Sequence, residues 1–335
     1  MSNTSGKPAQ YALPLPWQQP LWEQINNSWQ ANRLPHALLL QGVAGLGKLL
    51  FAQWLAQAVL CEARAVELQP CGECASCRLH AAGSHPDLVL VFPEEDKQQI
   101  SVDQIRAANE RLGMTSSRSG YRVAIIEPAH QMTAAAANGL LKTLEEPGQR
   151  SLIILVTSQP SAMLPTIRSR CQQLGMRTPK PDQAQQWLEQ QTGKSLPAEL
   201  LSHACGAPLK ALEYAQGRFE SLRQSMAPGV QALTEGGGDV TQIAQGWADE
   251  QLPERLDWLD GWIATRIRRE ILRIADPVTR EPLQGAAQVL NISALFQTLD
   301  KVRELKRQLR RTALQRELAL ETVLLLLQRA FNART

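Results

Sequence analysis

Ala37-Leu38-Leu39-Leu40-Gln41-Gly42-Val43-Ala44-Gly45-Leu46-Gly47-Lys48 is the stretch on which the fold turns. Ala37 to Leu40 reads as a buried strand, the glycines as a turn, and Lys48 to Leu60 as the helix that follows. In a phosphate loop, glycines let backbone N–H groups curl around phosphate oxygens at a helix N-terminus, and a lysine adds positive charge. Gly42, Gly45, Gly47 and Lys48 are therefore candidate nucleotide-binding residues. The residue after such a lysine is normally Ser or Thr, whose hydroxyl holds magnesium. Here it is Leu49.

A second strand end continues the pattern. Val123 to Ile126 should lead into acidic groups that hold metal-bound water and activate the nucleophile. The chain instead gives Glu127-Pro128-Ala129-His130. Glu127 can reach a metal, but a proline cannot act as a base. Glu145 and Glu146 lie a full helix further on and read as a helix end or surface pair. Loss of the hydroxyl together with the base argues against hydrolysis and leaves nucleotide binding open.

Outward from the loop, helical spacing at Trp22 to Asn32, Val102 to Leu112 and Ala134 to Leu144 alternates with apolar strands at Leu88 to Phe92, Val123 to Ile126 and Leu152 to Val156. Such alternation predicts a parallel sheet covered on both faces. Beyond about Pro179 the strand signals stop. Asp182 to Gln191, Ala198 to Ala204, Pro253 to Ile274 and Ile292 to Ala330 read as helices, with an apolar stripe through Leu314, Leu318, Val323 and Leu327 and a tryptophan pair at Trp258 and Trp262. The fold class expected is α/β plus all-α. Arg266, Arg269 and Arg273 form one basic stripe, and Arg303, Arg307, Arg310 and Arg311 another. Each reads as a solvated helix face ahead of a phosphate track.

Cys61, Cys71, Cys74 and Cys77 are spaced C-x9-C-x2-C-x2-C. A set this tight can close around one tetrahedral zinc, whose structural sites favour four sulfurs. His80 and His85 are substitute ligands that four sulfurs make unnecessary, and Cys171 and Cys205 stand apart as core or motif residues. The 335 residues suggest two or three domains, with 44% apolar and 20% charged residues and a net charge of +3. That charge is too small to imply nucleic-acid binding by itself. No apolar run nears the roughly 20 residues of a membrane span, and Met1 to Pro20 lacks a signal-peptide pattern. A cytoplasmic location, with reduced cysteines, is expected.

Five segments occur in order around these features: Leu34-Pro35-His36-Ala37-Leu38-Leu39, the phosphate loop with the cysteine module, His85-Pro86-Asp87, Ala136 to Pro147, and Ile167-Arg168-Ser169-Arg170-Cys171. Together they resemble the AAA+ subunits of the clamp loader of bacterial DNA polymerase III, specifically from Leu34 to Cys171 and more loosely beyond. The resemblance implies an AAA+ domain over 1–177, a helical lid over 178–222 and a helical collar over 223–335. It implies a five-subunit ring with gamma/tau motor subunits and a delta subunit as partners, acting on the sliding clamp and primed DNA in replication. By the same resemblance Arg170 is a trans arginine finger for a neighbour's ATP site, while Arg168 has no assigned role. Thr157 matches the polar sensor, and Leu209 stands where active members carry a phosphate-sensing arginine. The chain thus resembles a degenerate ATPase without catalysis of its own. Two other readings compete: an active motor of the gamma/tau type, and a zinc-dependent DNA-binding module.

Overall fold

Five short segments pair into one parallel sheet: β1 (Ala37–Gln41), β2 (Leu88–Val91), β3 (Arg122–Ile126), β4 (Ser151–Thr157) and β5 (Gln172–Gly175). They are seen in a computed structural model that describes residues 13–63, 67–95, 97–118, 120–217, 219–275, 291–309 and 316–332. The order across the sheet is β2-β3-β4-β1-β5. The central strands β3, β4 and β1 are almost wholly buried, which is why they read as unbroken apolar runs. The edges differ. Leu90 of β2 is exposed, and in β5 only Leu174 is buried. An edge strand with one buried side chain has no apolar run to betray it, so β5 was absent from the sequence reading.

Helix α1 (Gln19–Gln30) precedes β1, and α2 (Lys48–Leu60), α3 (Ala75–Ala81), α4 (Val102–Gly113), α5 (Ala134–Glu145) and α6 (Pro165–Arg168) lie between the strands. Ser101 caps α4 through a reciprocal capping box with Gln104, and the Thr133 hydroxyl caps α5. One parity of strand residues, including Leu39, Ile126, Ile153 and Leu155, packs with Ile105, Leu112, Leu140 and Leu144 of α4 and α5. Helix α2 packs on β1, β3 and β4, burying Phe51, Leu55 and Val59 completely. At roughly 1.5–3 kcal/mol for each large side chain buried, these two layers fix the sheet.

The chain divides into two compact units, Met1–Pro179 and Lys180–Thr335. Described residues of the second are helical: α7 (Pro181–Thr192), α8 (Ala198–His203), α9 (Pro208–Gln216), α10 (Phe219–Thr234), α11 (Val240–Trp247), α12 (Leu252–Ala275), α13 (Ile292–Leu309) and α14 (Arg316–Asn332). One core joins α8 to α14, with Met226, Leu256, Ile263, Val302, Val323 and Leu327 among its fully buried residues. Gly261 lets α12 approach α8 closely, since a Cβ there would collide with the His203 carbonyl oxygen.

Two details depart from the sequence reading. The segment expected as one helix, Ile292 to Ala330, holds α13 and α14 packed side by side. Within α14, Leu320, Val323, Leu324 and Leu327 are buried while Leu318 is 61% exposed. Five residues separate Leu318 from Val323, about 140° around a helix, so the two cannot share a face. In the second basic stripe, Arg303 pairs with Asp260 of α12 at 3.0 Å. The side chains of Arg273 and Arg307, and residues Arg310, Arg311 and Leu314, lie outside the described residues.

Candidate functional site

Strand order places β1 between β4 and β5, so the phosphate loop opens at the carboxyl edge of the sheet, where open α/β sheets bind ligands. Gly42 sits where a Cβ would lie 2.5 Å from the Met176 carbonyl oxygen, so only glycine fits between loop and β5. Gly45 and Gly47 have φ of 84° and 78°, left-handed values that glycine adopts without strain. Gly47 is the N-cap of α2, and Lys48 is the first helical residue.

The loop is braced from behind by a 3-10 turn, Pro16–Gln18. The Trp17 indole donates to the Leu46 carbonyl at 2.9 Å. The fully buried Gln18 amide donates to the Leu46 and Gly47 carbonyls at 3.1 and 3.0 Å, and its oxygen accepts from the Leu15 N–H at 2.9 Å. The sequence pattern assigns no element to this segment. Its only signal was a Leu-Pro-Trp-Gln cluster too short to show a period.

Lys48 turns back on the loop. Its Nζ donates to the Val43 carbonyl at 2.8 Å, and burial lowers its pKa from 10.5 to about 8, against the pull of Glu127. Glu127, just beyond β3, is raised from 4.5 to about 6 by burial, offset in part by Lys48. For both groups desolvation outweighs their mutual attraction. Thr157 ends β4, 1% exposed, with its hydroxyl 3.0 Å from His130 Nδ1 and accepting from the Gln159 N–H at 3.0 Å. Gly42, Gly45, Gly47, Lys48, Glu127 and Thr157 therefore share one edge of the sheet. Leu49, half-buried beside them, offers no oxygen.

Arg170 lies between α6 and β5 on the surface. Its Nε and a terminal nitrogen reach Glu145 Oε1 at 2.8 and 2.5 Å, and the other terminal nitrogen donates to the Thr166 carbonyl at 2.9 Å. The side chain is 35% exposed. Glu145 is thus a surface partner of Arg170 and no part of the phosphate-loop cluster. Leu209, half-buried, belongs to α9 in the helical unit.

The four cysteines converge as their spacing foretold. Cys61 closes α2, Cys74 caps α3 and Cys77 lies within α3. All four Sγ atoms fall within 4.8 Å of one another, with Cys61–Cys74 and Cys71–Cys77 both at 3.9 Å. A disulfide needs about 2.05 Å, whereas a tetrahedron of 2.3 Å metal–sulfur bonds has edges of about 3.8 Å. Backbone N–H groups of Cys71, Cys74 and Cys77 donate to the sulfurs of Cys61, Cys71 and Cys74 at 3.5, 3.3 and 3.3 Å. Such donation stabilises thiolates. Burial pushes the Cys61 and Cys77 thiols up; at Cys74 it is outweighed by N–H donation from Cys77 and Glu62, and the pKa falls to about 6. The donor set fits a dication, which takes all four sulfurs deprotonated, and the four can hold a metal ion. His80 and His85 are outside this group. The module is moored to α1, where Trp22 donates to the Leu68 carbonyl at 3.2 Å and Asn26 accepts from its N–H at 2.8 Å.

A phosphate-loop α/β domain with a sulfur cluster, followed by a helical unit, is the class these features define. Two family models match, one described as DNA polymerase III, delta subunit, over residues 17–180, and one as DNA polymerase III, delta subunit, C terminal, over 219–329. DNA polymerase III subunit delta' of Pseudomonas aeruginosa is 36% identical over 263 residues, 76% of this chain and 78% of that protein. The Escherichia coli subunit delta' is 34% identical over 280 residues, 83% of this chain and 79% of that one. The E. coli subunit tau is 30% identical over 220 residues, 66% of this chain but 32% of its own length. The chain belongs to the family of DNA polymerase III delta' subunits. It is a clamp-loader subunit working in DNA replication.

Proposed function

We propose that this chain is a non-hydrolysing member of the clamp-loader ring that completes a neighbour's ATP site through Arg170. The observation that carries the reading is a contrast in what each polar group does. At the phosphate loop the magnesium hydroxyl is replaced by Leu49, Lys48 is turned onto Val43, and the Thr157 hydroxyl is engaged by His130 and Gln159. Arg170, by contrast, stays partly exposed at the surface, where Glu145 and the Thr166 carbonyl hold it in one place. A guanidinium delivered to developing phosphate charge is worth roughly 10³–10⁵ in rate. A fixed side chain delivers it with little loss of entropy.

On this reading Gly42, Gly45, Gly47, Lys48, Glu127 and Thr157 are the remnant of a nucleotide site. The ion held by Cys61, Cys71, Cys74 and Cys77 is zinc in a structural role, since four thiolates close its coordination. The gamma/tau and delta subunits are direct partners. The sliding clamp and primed DNA are engaged through the ring in the cytoplasm. Residues 178–222 serve as lid and 223–335 as collar. The competing motor reading and this one part on a single assay: the purified chain should show no ATP turnover above background. Turnover at a motor-like rate, lost in Lys48→Ala, overturns the proposal. A zinc-dependent DNA-binding module would lose DNA affinity on Cys74→Ser with its fold intact. The expected result is loss of α/β-domain stability instead.

A further inference from the structure

Arg266 and Arg269 do not occupy a plain solvated helix face. With Arg223 they line a half-open cavity of about 330 Å³ on the helical unit, near the lower end of the roughly 300–1,000 Å³ typical of small-ligand pockets. Arg223 comes from α10, and the other two from successive turns of α12. Three guanidiniums and no carboxylate line the space among the described residues. Glu270, outside the lining, is 3.7 Å from Arg266, while Arg266 Nε is buried with no hydrogen-bond partner. Arg269 makes no ion pair with any described residue. Trp258, 4% exposed, lines the same cavity with an unpartnered buried indole N–H.

Buried donors without acceptors cost about 1–3 kcal/mol each, and a concave surface of one sign concentrates counter-ions. We infer that this cavity binds a small phosphate-bearing ligand, its oxygens shared among Arg223, Arg266 and Arg269 with the Trp258 N–H as a further donor. Three planar forks suit a phosphate group, which offers three peripheral oxygens and nearly two charges; one fork already saturates a carboxylate. A nucleic-acid strand fits less well, because bases need open aromatic faces. Trp258 is 4% exposed and already stacks with His203 at 5.4 Å and with Trp262 at 6.4 Å between ring centres.

Titration calorimetry of the full chain with pyrophosphate, and separately with a single-stranded oligonucleotide, tests the assignment. Pyrophosphate should bind saturably near one per chain and weaken about tenfold or more in Arg269→Gln and in Arg266→Lys, each losing charge-assisted hydrogen bonds. Arg269 is exposed, so its variant stays informative if Arg266 variants fold poorly. Absence of saturable binding overturns the inference. So does binding that vanishes in Lys48→Ala and persists in the arginine variants, which would move the anion to the phosphate loop. Oligonucleotide binding that depends on the arginines, without pyrophosphate binding, overturns the small-ligand assignment. Pyrophosphate binding with the stated dependence supports it whether or not the oligonucleotide also binds.

Discussion

Stripping the metal from the sulfur cluster should unlatch part of the α/β domain. Cys61 and Cys77 bracket 15 residues, and in the chain-entropy treatment of cross-links a closed loop of that length is worth about 3 kcal/mol. A four-sulfur metal is a cross-link of the same topology, and it also relieves the buried Cys61 and Cys77 of holding protons against their surroundings. For a unit of about this size, 1 kcal/mol moves Tm by about 2–4 °C, so chelation should lower the midpoint of the α/β domain by about 6–12 °C. The protein as purified, without chelator, should carry about one zinc per chain by elemental analysis. Thermal unfolding of native and chelated samples would then be compared by circular dichroism, with zinc added back. A chelated sample that melts with the native one, or a metal content near zero, refutes the reasoning.

Gln18→Leu should cost about 2–4 kcal/mol, because it orphans the Leu15 N–H and strips a donor from the Leu46 and Gly47 carbonyls; chemical denaturation checks it, and an unchanged midpoint counts against the bracing role. Glu127→Gln should change the pH dependence of stability. The folded carboxyl is raised from 4.5 to about 6, so its contribution is complete below pH 4.5 and is lost as pH rises through 6, an amount near 2 kcal/mol. Lys48, titrating near 8, stays charged over that window. The wild-type slope between pH 4.5 and 6 should flatten in the variant, and parallel curves would contradict the buried-carboxylate account.

Much of this was readable in the chain because the signals are local. A strand buried on both faces must be apolar throughout, so β1, β3 and β4 declared themselves, and α2 began at Lys48 as expected. Three of the four clustered cysteines lie within seven residues, so their convergence needs little tertiary information. The pairing of Arg170 with Glu145 depends on how the end of α5 meets the turn before β5, and no spacing encodes it. Gln18 reaches a carbonyl 28 residues away for the same reason. The stripe of Arg266 and Arg269 was visible, but its third member, Arg223, comes from another helix. Leu318 misled because leucine at a loosely helical interval looks like core until the turn angle is counted.

DNA-stimulated ATP turnover by a clamp loader reconstituted with Arg170→Ala in place of the wild-type chain bears most directly on the central claim. The account predicts a ring that still assembles and a fall of about 10³-fold or more at the adjoining motor site. Wild-type turnover in that mutant ring would contradict it.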